Sequence, residues 1–241
     1  MSSTEYTIQQ YLLDRANIQD TVNKIVRQPF PLPFSHISPN HCQLFSHPLP
    51  RDQQTLYYDT DNAPALADEC YAPGDDDAVT IDYTSMFAGR PLTISNRKWA
   101  ADAVSMLRAF DAKQHVVTGL VIERLPQPAV TIAAAAAGTH VVPSIPDSCT
   151  VVANVNGHVM RKAAAAEAAE SAEFASSFIH NGVSLASLHG RYEFDLVRIK
   201  ELEEAGKNPW RVRKHKCILT WSDGNPRVME PMKDAPVVTR E

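Results

Sequence analysis

The stretch Leu56–Tyr83, LYYDTDNAPALADECYAPGDDDAVTIDY, decides how the rest of the chain is read. It opens with Tyr58-Asp59. Asp61 or Asn62 can then cap a short helix, with Pro64 in its first turn. Ala72-Pro-Gly-Asp-Asp-Asp77 makes a turn. Its aspartates lack the twelve-residue ligand pattern of a calcium loop and read as solvated. Ala78–Tyr83 closes the stretch as a short strand with Val79, Ile81 and Tyr83 on one face. Further on, His115 in AKQHVVTG sits in another strand-like run. In a fold that closes these elements around one cavity, two phenols, a carboxylate and an imidazole would meet there, a set suited to moving protons on a small organic molecule.

Upstream, Thr7 and Gln10 form a capping box. Ile8, Tyr11, Leu12, Ile18, Val22 and Ile25 recur at helical spacing, so a helix is expected over about Ile8–Arg27. Pro29, Pro31 and Pro33 stop it. From Gln28 to Gln54 the chain is an irregular excursion, and His36, His41 and His47 lack the spacing of a metal site. Downstream, Thr93 or Ser95 caps a helix through about Phe110, with Trp99, Ala103, Leu107 and Phe110 as its apolar stripe. Strands are expected at Lys113–Glu123, Cys149–Arg161, Val183–Ile199 and Trp210–Trp221. Arg124–Ser148 reads as an expanded connection, and the alanine- and glutamate-rich Ala163–Phe178 as an inserted helix. Lys200–Pro209 reads as a long hairpin connection, and the chain after Gly224 as an extended polar tail. Helices early and strands late predict an α+β fold, a curved antiparallel sheet with helices packed on one face to form a cone-shaped cavity. One domain would span 1–224, with insertions at about 28–54, 124–148 and 163–178 and a tail at 225–241.

The totals bound the function. The 241 residues, 44% hydrophobic and 21% charged, suffice for one well-packed domain. A net charge of -5 gives no reason to expect nucleic acid as a partner. The basic cluster Arg211–Lys216 alternates along a strand and reads as a solvated face. Cys42, Cys70, Cys149 and Cys217 are scattered without a CxxC pair, which argues against a zinc or redox motif and for a reducing compartment. The N-terminus lacks an apolar signal core, and the longest apolar run, Ala129–Val142, is too short and broken to span a bilayer. The expectation is a cytoplasmic protein with no membrane partner. With no GxGxxG before a helix, P-loop, GxSxG or HExxH, the chain reads as using no cofactor and no metal.

Four elements in order carry a resemblance: Tyr58-Asp59 ahead of a short helix, Ile81-Asp82-Tyr83 on a strand, Gln114-His115 on the next, and Gly190-Arg-Tyr192 with Arg198, then Pro209-Trp-Arg-Val212 leading to Thr220–Gly224. Over about Leu56–Gly224 the chain resembles the scytalone dehydratase and SnoaL-like polyketide cyclase families, within the nuclear transport factor 2-like cone fold. The resemblance implies that Tyr58 and Tyr83 hold a water against a substrate carbonyl, while Asp59 orients His115, which takes or delivers the proton. The chemistry agrees, since an imidazole titrates near neutrality and phenols can donate to a carbonyl oxygen as it becomes an enolate. It also implies association through the open sheet face as a homodimer or homotrimer.

The chain departs from the dehydratase pattern. A second histidine there falls near Arg161 here, and His158, three residues away, points to the other face unless a bulge intervenes. The serine and asparagine of the dehydratase pocket fall near Arg191 and Glu193, so scytalone itself is not the expected substrate. Arg161 and Glu193 are carried as polar groups of the substrate pocket, with Trp99 as a stacking wall.

Each residue also has a plainer reading. His115 alone would be a core histidine, and it is Tyr58, Asp59 and Tyr83 in family order that turn it into a candidate base. Asp59 could cap the following helix. Tyr58 and Tyr83 could be wall residues, and Trp99 and Phe110 core. Asp14 reads as a solvated residue of the first helix. Two functions follow. One is a cofactor-independent lyase or isomerase (a dehydratase or cyclase) acting beside the carbonyl of a small apolar, polyketide-like substrate. The other is a non-catalytic member of the fold that binds a small ligand or a protein.

Overall fold

The computed structural model describes residues 6–26, 61–127, 144–162, 179–180 and 183–234. Tyr58 and Asp59 lie outside the described residues, as do residues 28–54, 128–143 and 163–178, where the sequence reading places its insertions.

Helix α1 (Ile8–Val26) begins at the capping box. Gln10 Oε1 accepts from the Thr7 amide (2.9 Å), and Thr7 Oγ1 accepts from the Gln10 amide (3.2 Å). Helix α2 (Ala63–Cys70) is capped by Asn62, whose side chain accepts from the Ala65 amide. Strand β1 (Val79–Asp82) follows. A single helical turn α3 (Thr84–Phe87) and a short strand β2 (Leu92–Ile94) lie where the sequence shows no periodicity long enough to read. Ser95 caps helix α4 (Asn96–Leu107). The long strands are β3 (Ala112–Glu123), β4 (Ser148–Arg161), β6 (Val183–Arg198) and β7 (Trp210–Gly224), and β5 (Ile179–His180) pairs with β6.

Among the described residues, seven strands form one sheet in the order β2-β1-β7-β6-β4-β3, with β5 off this path. Every pairing is antiparallel except β1 with β7, which is parallel, so the expected antiparallel sheet is in fact mixed. The sheet is curved and unclosed. α1 reaches both β3 and β7, three strands apart in the sheet. The concave side holds the core. Along β4, Cys149, Val151, Ala153, Val155 and Val159 are buried in strict alternation. Ile18, Val22 and Ile25 of α1, Leu66 of α2, and Trp99, Ala100 and Ala103 of α4 belong to the same core cluster.

Two stretches correct the sequence reading. Lys200–Glu204 is a one-turn helix (α5) within the β6–β7 connection. Pro226–Asp234 is not an extended tail but a 3-10 helix that buries Val228 and Met232 completely or nearly so. Its three large apolar side chains, Val228, Met229 and Met232, were too few to announce a helix. Asn225 starts it, donating from its amide to the Leu185 carbonyl (2.8 Å) and from Nδ2 to Ser184 Oγ (3.0 Å).

Asp14 is likewise not solvated. It is 3% exposed and accepts from the Tyr6 hydroxyl (2.8 Å) and the Trp210 indole (2.9 Å) while pairing with the buried Arg198. Spacing alone placed it on a polar face, and only the strands packed against α1 supply its partners.

Candidate functional site

The concave face of the sheet, α4 and the 3-10 helix enclose a cavity. Ala103, Met106, Leu107 and Phe110 form the helical side. Val155, Gly157 and Val159 of β4 and Leu188, Gly190 and Tyr192 of β6 form the sheet side. Tyr83, Met86, His189, Cys217, Ile218, Leu219, Met229 and Met232 close the remainder. About 610 Å³ between these walls is free of atoms, mouth included, but the centre of a water molecule can reach only about 50 Å³ of it. The bore is therefore narrow and mostly apolar.

His115 lies on the cavity wall. Its strand neighbour across β4 is Gly157, and a methyl there would stand 3.5 Å from His115 Cδ2 and 3.6 Å from Nε2. Those separations are ordinary van der Waals contact, so the imidazole edge packs over Gly157. Tyr83 and Tyr192 line the same cavity, so two phenols and an imidazole share its surface. Tyr83, at the N-terminus of α3, packs on Phe87 and Trp99 with ring centroids 6.3 and 5.7 Å away. Cys217 also faces the bore. Burial pushes its thiol up to about 12, so it stays protonated and unreactive near neutrality.

Behind this wall sits a second histidine that the sequence reading passed over. His215 of β7 is fully buried, with its Nδ1 2.8 Å from the Tyr71 hydroxyl. Tyr83, Tyr192 and Phe194 surround its ring with centroids 5.4, 4.6 and 4.6 Å away. Burial, and then the charge of His115, lower its pKa to about 3. His215 is a neutral group that buttresses the two cavity tyrosines. In the sequence it was hidden in Arg211–Lys216, where the surrounding basic residues made the whole run look solvated.

The structure separates the remaining candidates from the cavity. Trp99 is completely buried, its ring set against Tyr71, Tyr83 and His215, and does not line the bore. Arg161 is partly buried at the end of β4 opposite Ser184, again outside the lining. Glu193 is on the convex face, 2.8 Å from Arg191 and 3.6 Å from Lys216. The reason is parity, because Gly190 and Tyr192 face inward and Arg191 and Glu193 must then face out. His158 is also on the convex side, its Nδ1 3.0 Å from Ser187 Oγ, because β4 carries no bulge to turn it inward. Its pKa is lowered by partial burial and by the nearby charges of His189 and His115.

No family model matches the chain, and no curated protein matches it. Solved structures similar to it include the Kfla4162 protein of Kribbella flavida. The identity is 17% over 72% of this chain and 86% of the other, at a TM-score of 0.48. A candidate scytalone dehydratase of Novosphingobium aromaticivorans is 11% identical over 70% and 78%, at 0.40. A hexachlorocyclohexane dehydrochlorinase, LinA-type3 of Novosphingobium barchaimii, is 12% identical over 91% and 95%, at 0.48. Among the described residues, no helix is long and apolar enough to cross a membrane.

Proposed function

We propose that the protein is a cofactor-independent lyase or isomerase, a dehydratase or cyclase, acting on a small apolar carbonyl compound of polyketide type. The observation that carries this reading is an imidazole, His115, sharing a narrow apolar bore with the phenols of Tyr83 and Tyr192. His115 removes a proton from the carbon beside the carbonyl. The C–H electron pair forms the C=C bond of an enolate, and the carbonyl oxygen takes the displaced pair while Tyr83 donates a hydrogen bond to it. In an apolar bore such a donor is worth about 3 kcal/mol of barrier. The protonated His115 then returns its proton to a leaving hydroxyl or to another carbon, which closes the cycle. In this proposal Asp59 holds the imidazole and Tyr58 supplies a second donor.

The test is proton exchange in D2O with a panel of aromatic and polyketide ketones. Deuterium is expected at the carbon beside the carbonyl with the native chain. His115→Ala should lower the rate at least about 100-fold while leaving the melting temperature in place. Retained exchange in that variant would sink the proposal. The small reach of water into the bore favours one alternative, a protein that binds an apolar ligand without turning it over. Saturable ketone binding with no exchange would identify it. We further propose a homo-oligomer built on the convex face, where Leu185 and Trp221 are 46% and 53% exposed. A monomer in sedimentation velocity would refute that.

A further inference from the structure

A surface groove runs beside the cavity. Phe87, Ala88, Ala186, Gly224 and Pro226 line it, with Ser222 and Asp223 as polar residues. Four of its wall residues, Met86, Leu188, Leu219 and Met229, are also walls of the inner cavity. The two spaces are thus neighbours divided by side chains. They differ greatly in room, since the centre of a water molecule reaches about 560 Å³ in the groove and about 50 Å³ in the bore. A ligand of more than a few atoms does not fit the bore as it stands.

The backbone on both banks of the groove is tied down. On one bank, Asp82 Oδ1 accepts from the amide (3.1 Å) and hydroxyl (2.7 Å) of Thr84, and Ser85 Oγ accepts from the Leu219 amide (2.9 Å). On the other, Asn225 holds the start of the 3-10 helix to Leu185 and Ser184, and Val228 is completely buried. What can give way between them is methionine. Its unbranched side chain changes rotamer cheaply and adapts to the shape of what it touches. Met86 already rests on Cys217 at the rim of the bore, with Sδ 3.7 Å from Sγ, and Met229 is only partly buried.

We propose that Met86 and Met229 are a yielding partition, and that bore and groove together form one elongated site. It takes a neutral ketone whose carbonyl end enters the bore towards His115 and whose apolar tail lies in the groove. The proposal rests on the reading of the bore as the ligand site. It makes Met86 and Met229 the residues that set tail length. The described groove walls carry no cationic side chain to attract an acid, and the Asp223 carboxylate would repel one, so the tail is not anionic.

The test is equilibrium dialysis of the full chain with acetophenone, butyrophenone and hexanophenone. Affinity should rise about fourfold with each added methylene while the groove fills. Met229→Trp and, separately, Met86→Trp should remove that rise. A series flat within a factor of two in the native chain overturns the proposal, as does an unchanged slope in a folded tryptophan variant. No binding by any of the three also overturns it. The native series alone decides if both variants fail to fold. Exchange in D2O by the native chain separates the two claims: a flat series with exchange present overturns the partition alone, and a rising series with no exchange overturns the base reading alone.

Discussion

At the scale of single residues, His215 has the clearest measurable consequence. It is neutral and buried, with a pKa near 3 in place of its ordinary 6.5. The unfolded chain therefore binds a proton that the folded chain refuses. This contribution to stability is complete above about pH 6.5 and is lost as pH falls from there towards 3, at about 1.4 kcal/mol per pH unit for one proton. Urea unfolding followed from pH 6 to pH 4 should show a shallower loss in His215→Gln than in the native chain. Parallel slopes would mean that His215 takes up its proton in the folded state. His158, more open to solvent, is shifted in the same direction and adds to the native slope.

At the scale of elements, β7 gives the site its shape. His189 pairs with Trp221 and Gly190 with Leu219, so Thr220 is an extra residue on β7, and Arg213 is another between the partners of Asp195 and Leu196. Such bulges bend a strand and sharpen the twist that curls this sheet. Gly190 is the residue that lets β6 and β7 approach here, because a Cβ on it would stand 2.0 Å from the Ile218 carbonyl oxygen. That contact is with backbone and cannot be relieved by a rotamer. Gly190→Ala should cost about 3 kcal/mol in chemical denaturation and disturb the cavity wall between Leu188 and Tyr192. A loss under about 0.5 kcal/mol would show that the bulge can relax.

At the scale of the whole molecule, the buried Asp14 and Arg198 join its parts. Asp14 comes from α1 and Arg198 from β6. The Trp210 indole of β7 donates to Asp14, and the guanidinium lies 4.8 Å from the centre of that ring. Arg198 also donates to the Pro146 carbonyl (2.9 Å) and to Glu203 of α5 (2.7 Å). Burial, followed by Asp14, pushes the Tyr6 hydroxyl well above the ordinary phenol range. Asp14→Ala would leave the guanidinium buried without its carboxylate, and about 3–5 kcal/mol should be lost in denaturant unfolding. Asp14→Ala with Arg198→Met should recover part of it, since the second change removes the stranded charge. A single variant as stable as the native chain would show that Arg198 finds water or another acceptor.

The sequence by itself determined what depends on neighbours in the chain. The cap of Thr7 and Gln10, the stripe of α4 around Trp99, the alternation of β4 and the α+β order were legible because periods of 3.6 and 2 and capping chemistry are local. The placement of His115 on a strand was within reach of the same rules, whereas Tyr83, expected at the end of β1, instead caps α3 one residue beyond it. The tertiary structure decided the rest. Sheet register turned Glu193 outward, packing walled Trp99 into the core, and strands distant in sequence gave Asp14 its partners and buried His215 in a nest of rings. The methionines of α3 and the 3-10 helix came to line one bore only through the fold. Register, bulges and burial are set by contacts between residues far apart in the chain, and no local pattern encodes which partner a residue will meet.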